Sequence, residues 1–147
     1  AELHQLPFGF LINRILSSKA IFSKLPVVTK NNSSFTISPH DKAWLEEVYQ
    51  IYIHHLKDRR LRISFVAKKM NLSERQFYRR FKEISPLTPN QHLQELRLLK
   101  GKDLLENGHK MSVKEVTFAV GYHDARYFSD IFEKRFGIKP SLLTSTV

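Results

Sequence analysis

One short pattern occurs twice in this chain, and it restricts the possible fold more than any other feature. In each copy, a short apolar helical period is followed by a tight turn and a second helical period, over residues 63–84 and again over 113–136. The turns contain Asn71 and Gly121, the two residue types that most readily adopt a left-handed backbone conformation. The pattern therefore predicts two helix-turn-helix units.

The second helix of each copy carries two phenylalanines four residues apart. These are Phe77 and Phe81 in the first copy, and Phe128 and Phe132 in the second. Residues at i and i+4 share one helix face, so each pair predicts a buried stripe and leaves the opposite face free for a partner. Helical spacing predicts that three further phenylalanines are core residues too, rather than platforms for base stacking. They are Phe65, Phe118 and Phe136.

Helix starts are marked by residues that cap free backbone N–H groups. The chain has four of them, at Ser38, Ser73, Thr88 and Ser112. The last three match the capping box, in which the cap and the third helical residue satisfy each other's backbone donors. We expect helices near 39–57, 63–70, 74–84, 89–106, 113–120 and 125–136, with Gly137 and Pro140 ending the last one. A short helix near residues 11–16 is also expected.

The predicted helix over residues 89–106 is apolar on more than one side, as expected of a helix held by a bundle at each end. Eighteen residues span about 27 Å at 1.5 Å per residue. Two recognition helices held at its ends would be separated by about one turn of B-DNA, roughly 34 Å. This spacing favours DNA, read in two successive major grooves, over a generic basic bundle.

Composition narrows the functional classes. The 147 residues carry a formal net charge of +10, which favours a polyanionic partner, nucleic acid first and an anionic membrane second. Cysteine is absent, which removes disulfides and thiolate chemistry and fits a reducing cytoplasm. The sequence also lacks the HExxH, Gly-rich phosphate-loop and Gly-x-Ser-x-Gly patterns. We therefore expect a cytoplasmic protein that is not an enzyme, with no catalytic residue, metal site or cofactor.

Several short motifs follow one another in a distinctive order. They are Val66-Ala67-x-x-Met-Asn-Leu-Ser73, Phe77-Tyr78-Arg79-x-Phe81-Lys82, Thr88-Pro89, Leu96-Arg97-Leu98, Leu104-Leu105, Val116, Val120-Gly121-Tyr122, Asp124, Tyr127-Phe128-Ser129, Phe132-x-x-x-Phe136-Gly137 and Pro140-Ser141. Over about residues 44–143 the chain thus resembles the DNA-binding domain of the AraC/XylS family of bacterial transcription regulators. The resemblance implies an all-α fold of two homeodomain-like helix-turn-helix subdomains joined by a long central helix. It also implies promoter binding, mostly with activation of transcription.

The resemblance also implies which residues touch DNA. The expected base contacts are Arg75, Tyr78 and Arg79 in the first unit, and Arg126, Ser129 and Asp130 in the second. The expected phosphate contacts are Lys68, Lys69, Arg80, Lys82, Lys110, Lys134 and the helix starts at Pro89 and Ser112. Asp130 departs from the basic or amide side chain expected there. It either accepts a hydrogen bond from cytosine N4 or pairs with Arg126 or Lys134.

The chain is expected to divide into a poorly structured, basic segment over residues 1–38 and a DNA-binding domain over 39–147. Leu6-Pro7-Phe8 with Arg14-Ile15 resembles the last helix of a response-regulator receiver, which suggests that the DNA-binding unit is the output domain of a response regulator or a hybrid two-component sensor. The competing interpretations are a membrane-surface helix and a functionless remainder. The expected partners are double-stranded promoter DNA, RNA polymerase, an upstream receiver or sensor domain, and a second copy in a homodimer. The alternative function is an RNA-binding or protein-interaction module without sequence-specific DNA readout.

Overall fold

The computed structural model describes residues 38–85, 87–107 and 110–144. Within these ranges all the regular structure is helical, which confirms the all-α prediction. The six α-helices are α1 (Pro39–His54), α2 (Ile63–Lys69), α3 (Glu74–Ile84), α4 (Pro89–Asn107), α5 (Val113–Ala119) and α6 (Ala125–Phe136), followed by a 3-10 helix over Pro140–Leu142. The helix expected near 11–16 and the segment before Ser38 lie outside the described residues.

The described residues divide into two compact units. The first unit comprises residues 38–54 and 62–93, and the second comprises residues 55–61 and 94–144. Each unit contains one helix-turn-helix pair, α2 with α3 in the first and α5 with α6 in the second. Helix α4 supplies its first turn to the first unit and its remaining residues to the second.

The predicted capping residues hold the helix starts. Ser73 Oγ accepts from the Gln76 N–H at 3.1 Å, while Gln76 Oε1 accepts from the Ser73 N–H at 2.9 Å. The same reciprocal pair forms at Thr88 with Gln91 and at Ser112 with Glu115. At the fourth start, Ser38 Oγ accepts from the Asp41 N–H at 3.1 Å. Each box satisfies two backbone donors that the first helical turn leaves unpaired.

Both turn residues are left-handed as predicted, with φ of 59° at Asn71 and 92° at Gly121. After each turn, the aromatic pair is fully buried. In the first unit, the Trp44 ring of α1 lies 5.5 Å from the Phe77 ring and 5.3 Å from the Phe81 ring. In the second unit, Phe128 and Phe132 join a core whose other members are Leu98, Leu104, Leu105, Val116 and Val120.

A buried polar cluster ties three elements of the first unit together. His92 of α4 is fully buried and contacts the Tyr49 hydroxyl through Nδ1. Its Nε2 lies 2.7 Å from the Ser85 hydroxyl, and Ser85 Oγ also accepts from the Leu87 N–H at 3.1 Å. Burial lowers the pKa of His92 to about 3, so the ring is neutral and fixes the turn between α3 and α4.

Helix α1 ends at His54, within a few residues of the expected end, and the chain then turns, with the Asp58 N–H bonded to the His55 carbonyl. One expectation about the core is wrong. Phe65 and Phe118 are not core residues, since 37% and 49% of their surfaces are exposed. Helices α2 and α5 bury other positions of the same helical period, including Val66 and Val116. None of the described helices has the length and apolar character needed to cross a membrane.

Candidate nucleic-acid interface

Helix α3 presents a basic face on the side opposite its buried stripe. Phe77, Phe81 and Ile84 are buried, whereas Arg75 and Arg79 are exposed and lie four residues apart on one face. In the part of the chain that the structure describes, neither arginine has a carboxylate oxygen within 4.0 Å. Their guanidinium groups are therefore available for an external acceptor.

Tyr78, the third predicted base contact on α3, has a partner inside the protein. Its side chain is half-buried, and its hydroxyl accepts from Asn90 Nδ2 at 3.2 Å. Asn90 belongs to the first turn of α4. The hydrogen bond therefore joins the recognition helix to the next helix start.

Arg80 turns away from the basic face. Its guanidinium carbon lies 4.6 Å from the centre of the Trp44 ring, and its Nη2 lies 3.7 Å from Asp41 Oδ1 on α1. These contacts give the side chain a structural role, and the expected phosphate contact stays a prediction. Lys68, Lys69 and Lys82 are exposed at the C-terminal ends of α2 and α3.

Helix α6 presents a less basic face. Arg126 and Asp130 are exposed, Ser129 is half-buried, and Lys134 is exposed one turn beyond Asp130. No ion pair within 4.0 Å joins Asp130 to Arg126 or Lys134 among residues 110–144, so neither of the two possible pairings is formed there. Exposed pairs of this kind gain little over their hydration by water, which explains why the spacing alone does not form them.

Asp124 and Tyr127 shape the start of α6, although neither is among the predicted DNA contacts. Asp124 caps the helix, with Oδ1 accepting from the Arg126 and Tyr127 N–H groups at 2.9 and 3.2 Å. Tyr127 is half exposed, and its ring lies 5.9 Å from the Tyr122 ring. The aspartate could have been found from its position before the helical period, since aspartate is a favoured N-cap.

The two helix starts expected to hold phosphate differ in their free donors. At the start of α4, Pro89 has no N–H and the Thr88 cap uses the Gln91 N–H, so the Asn90 N–H is the first-turn donor left for the predicted phosphate contact. At α5, the Ser112 cap leaves the Val113 and Lys114 N–H groups without a side-chain cap. Lys110 lies two residues before Ser112, exposed and in a left-handed conformation with φ of 55°.

Comparison with known proteins agrees with this geometry. Residues 66–145 match the family described as a helix-turn-helix domain. Over 138 residues, the chain is 28% identical to histidine kinase P4 of Formosa agariphila, covering 91% of the chain and 10% of that protein. Over 139 residues, it is 28% identical to the HTH-type transcriptional activator RhaS of Escherichia fergusonii, covering 95% of the chain and 49% of RhaS. The chain thus spans about half the length of RhaS and a tenth of the kinase.

A solved structure extends the comparison to a DNA complex. The DNA-binding domain of the global transcriptional factor AdpA, determined with a target DNA, superposes with a TM-score of 0.61 and 28% identity. The match covers 69% of this chain and 89% of the AdpA domain. With its paired helix-turn-helix units and its matched family, the chain belongs to the AraC-type helix-turn-helix family of DNA-binding transcription regulators.

Proposed function

We propose that this chain binds double-stranded promoter DNA in a sequence-specific manner, with α3 and α6 each placed in a major groove. The observation that carries the proposal is the exposed pair Arg75 and Arg79, opposite the buried stripe of α3 and without a carboxylate partner among the described residues. A guanidinium fork matches guanine O6 and N7, and such a pair discriminates by about 1–3 kcal/mol.

The two recognition helices would read different sequences. Helix α6 offers Arg126, Ser129 and Asp130 where α3 offers Arg75, Tyr78 and Arg79. The Asp130 carboxylate has no basic group within 4.0 Å among the described residues; it is repelled by phosphates but is suited to accept from cytosine N4. One molecule would therefore read two unlike half-sites in a fixed direction.

Phosphate contacts would set the register of both helices. The proposed set comprises Lys68, Lys69, Lys82, Lys110 and Lys134, the capped helix starts at Pro89 and Ser112, and Arg80 if its contact with Asp41 opens. Backbone N–H groups at a helix start attract anions because they are unpaired and lie at the positive end of the helix dipole. Such contacts position a protein without carrying sequence information.

The DNA-binding unit would act within a larger regulator in the cytoplasm. RhaS is named as a transcriptional activator, and histidine kinase P4 is named as a kinase of which the matched region is a tenth. We therefore propose activation through contact with RNA polymerase, under control of an upstream sensor or receiver domain. A homodimer of the full protein is compatible with this arrangement.

Selection from a random pool of duplex DNA tests the proposed function. The 147-residue chain should enrich a defined sequence and bind it more tightly than a scrambled duplex or RNA of equal length, at the same salt concentration. The proposal fails if no sequence is enriched and RNA binds equally well, since that result fits the RNA-binding or protein-interaction alternative.

A pair of substitutions then separates base contacts from phosphate contacts. Arg79→Ala should cost about 1–3 kcal/mol on the selected sequence and relax specificity at one base pair. Lys110→Ala should weaken binding to all sequences equally. It should also make the negative slope of log affinity against log salt shallower by about one. Equal loss on every sequence for Arg79→Ala would assign that arginine to the DNA backbone instead.

A further inference from the structure

The residues that follow α1 form a basic loop, defined here as Lys57–Arg60. Its sequence, Lys57-Asp58-Arg59-Arg60, holds three positive charges and one negative charge, and all four residues are exposed. The positive charge of Arg60 is partly offset by Asp58, because Arg60 Nε lies 3.7 Å from Asp58 Oδ1. In the described part of the chain, neither Lys57 nor Arg59 has a carboxylate within 4.0 Å.

The basic loop has a fixed conformation. The Asp58 N–H donates to the His55 carbonyl at 3.0 Å, and the Leu61 N–H donates to the Asp58 carbonyl at 3.1 Å. Asp58 Oδ1 also accepts from the Arg60 N–H at 2.9 Å. The two exposed cations are therefore held on an ordered backbone, which reduces the entropy that binding would have to remove.

Leu56, the residue immediately before the basic loop, packs against the turn that precedes α6 in the second unit. Leu56 is buried there, and its carbonyl oxygen lies so close to Gly121 that no Cβ fits between them. Arg97 of α4 donates from Nη2 to the Asp58 carbonyl at 3.1 Å, and its guanidinium carbon lies 5.5 Å from the centre of the Tyr122 ring. Lys57 thus follows Leu56, which lies against the turn immediately before α6, and Arg59 follows Asp58, whose carbonyl is held by Arg97.

We propose that Lys57 and Arg59 form a phosphate clamp that holds the DNA backbone beside the N-terminal end of α6. In helix-turn-helix proteins, the N-terminal end of the recognition helix contacts base edges, so the flanking surface faces the phosphates of the groove wall. The clamp rests on the proposed DNA binding and supplements it. It adds positive charge beside the exposed face of α6, where the Asp130 carboxylate opposes the charges of Arg126 and Lys134.

The test is a salt titration of DNA binding by the full 147-residue chain and the double variant Lys57→Gln/Arg59→Gln. Each lost phosphate contact makes the negative slope of log affinity against log salt shallower by about 0.9. The double variant should therefore make the slope shallower by about 1.8. Affinity for the selected duplex and for a scrambled duplex should fall by the same factor. The charge-conserving variant Lys57→Arg/Arg59→Lys should keep the original slope.

The matched control is Lys42→Gln/Lys139→Gln, which removes the same two charges from α1 and from the segment beyond the C-terminal end of α6. Its slope should stay within a few tenths of the original. The clamp is refuted if the chain selects a sequence but Lys57→Gln/Arg59→Gln has the same slope as the control Lys42→Gln/Lys139→Gln. It is also refuted if Lys57→Gln/Arg59→Gln weakens binding to anionic lipid vesicles and leaves DNA binding intact. Failure of the chain to select any sequence would instead refute the proposed function.

Discussion

Gly121 and Gly137 are both left-handed glycines, but only Gly121 is crowded. Its φ is 92°, and a Cβ added there would collide with the Leu56 carbonyl oxygen and lie 3.0 Å from the Arg97 guanidinium carbon. Gly137 ends α6 with φ of 74° and would place a Cβ in open space. At Gly121, the missing side chain lets the residues before α2 approach the turn before α6.

Arg97 links the residues before α2 to the turn before α6. The side chain is 8% exposed, and its Nε has no hydrogen-bond partner among the described residues, while Nη2 donates to the Asp58 carbonyl. Burial lowers the pKa of Arg97, and the neighbouring Tyr122 and Asp58 oppose that shift. The charged group thus depends on the carbonyl and on the Tyr122 ring for compensation, both of which a shift at Gly121 would displace.

Alanine at the two glycines separates crowding from backbone strain. Gly137→Ala should lower the free energy of unfolding by about 1–2 kcal/mol, the cost of a left-handed conformation for a residue with a Cβ. Gly121→Ala should lower it by about 3 kcal/mol or more, because overpacking adds to that cost. Urea denaturation of both variants measures the difference. Equal losses would show that the contact with Leu56 and Arg97 adds nothing.

At the scale of helices, His92 joins three elements of the first unit. The Tyr49 hydroxyl on α1, the Ser85 hydroxyl after α3 and the ring of His92 on α4 form one buried chain of polar contacts. The Tyr52 hydroxyl, also on α1, donates to the Pro89 carbonyl at 3.1 Å, and burial raises the pKa of Tyr52. These contacts fix the start of α4, where Asn90 holds Tyr78 of the recognition helix.

The neutral state of His92 makes stability depend on pH. Burial lowers its pKa from 6.5 to about 3, so between these values the unfolded chain binds a proton that the folded chain does not. Stability contributed by neutral His92 is present above about pH 6.5 and is lost as pH falls toward 3. The loss should reach about 1 kcal/mol by pH 5.5. Denaturation of the parent chain and of His92→Gln measures it. Equal pH dependence in both proteins would exclude His92 as the source.

Local signals predicted the elements well, because capping boxes and left-handed turns are decided by neighbouring residues. Ser73, Thr88 and Ser112 begin their helices as expected, and Asn71 and Gly121 have positive φ. The packing of one helix against another cannot be predicted from such local signals. Helical spacing alone did not show that Phe65 and Phe118 lie outside the core, since a short helix offers several faces with apolar residues.

In the candidate site too, positions set within one helix follow from the sequence, whereas contacts between helices do not. The exposed positions of Arg75 and Arg79 follow from the buried phenylalanine stripe of α3, which the sequence contains. The sequence predicts a phosphate contact for Arg80, because nothing in it joins Arg80 to Trp44, which lies on a different helix. The position of the basic loop also cannot be predicted from the sequence. Its charges are visible in the sequence, but the packing of the preceding Leu56 against the turn at Gly121 depends on tertiary contacts.

At the scale of the whole molecule, two units of one architecture carry unlike recognition faces. The shared parts are the cap, the turn and the buried aromatic pair, which build the scaffold. The faces differ, since α3 exposes two arginines and α6 exposes Arg126 with Asp130. Unlike faces within one chain are suited to a directional, non-palindromic site, whereas a palindrome mirrors a two-fold symmetric dimer.

Selection from random duplex DNA shows directly whether one chain reads two unlike half-sites in a fixed direction. Two unlike conserved segments should appear, with centres about 10–10.5 base pairs apart. Inserting five base pairs between them rotates one segment by about half a turn and should weaken binding at least about ten-fold. The chain does not read two unlike half-sites in a fixed direction if selection yields a single segment or a palindrome. The same conclusion follows if the insertion leaves the affinity unchanged.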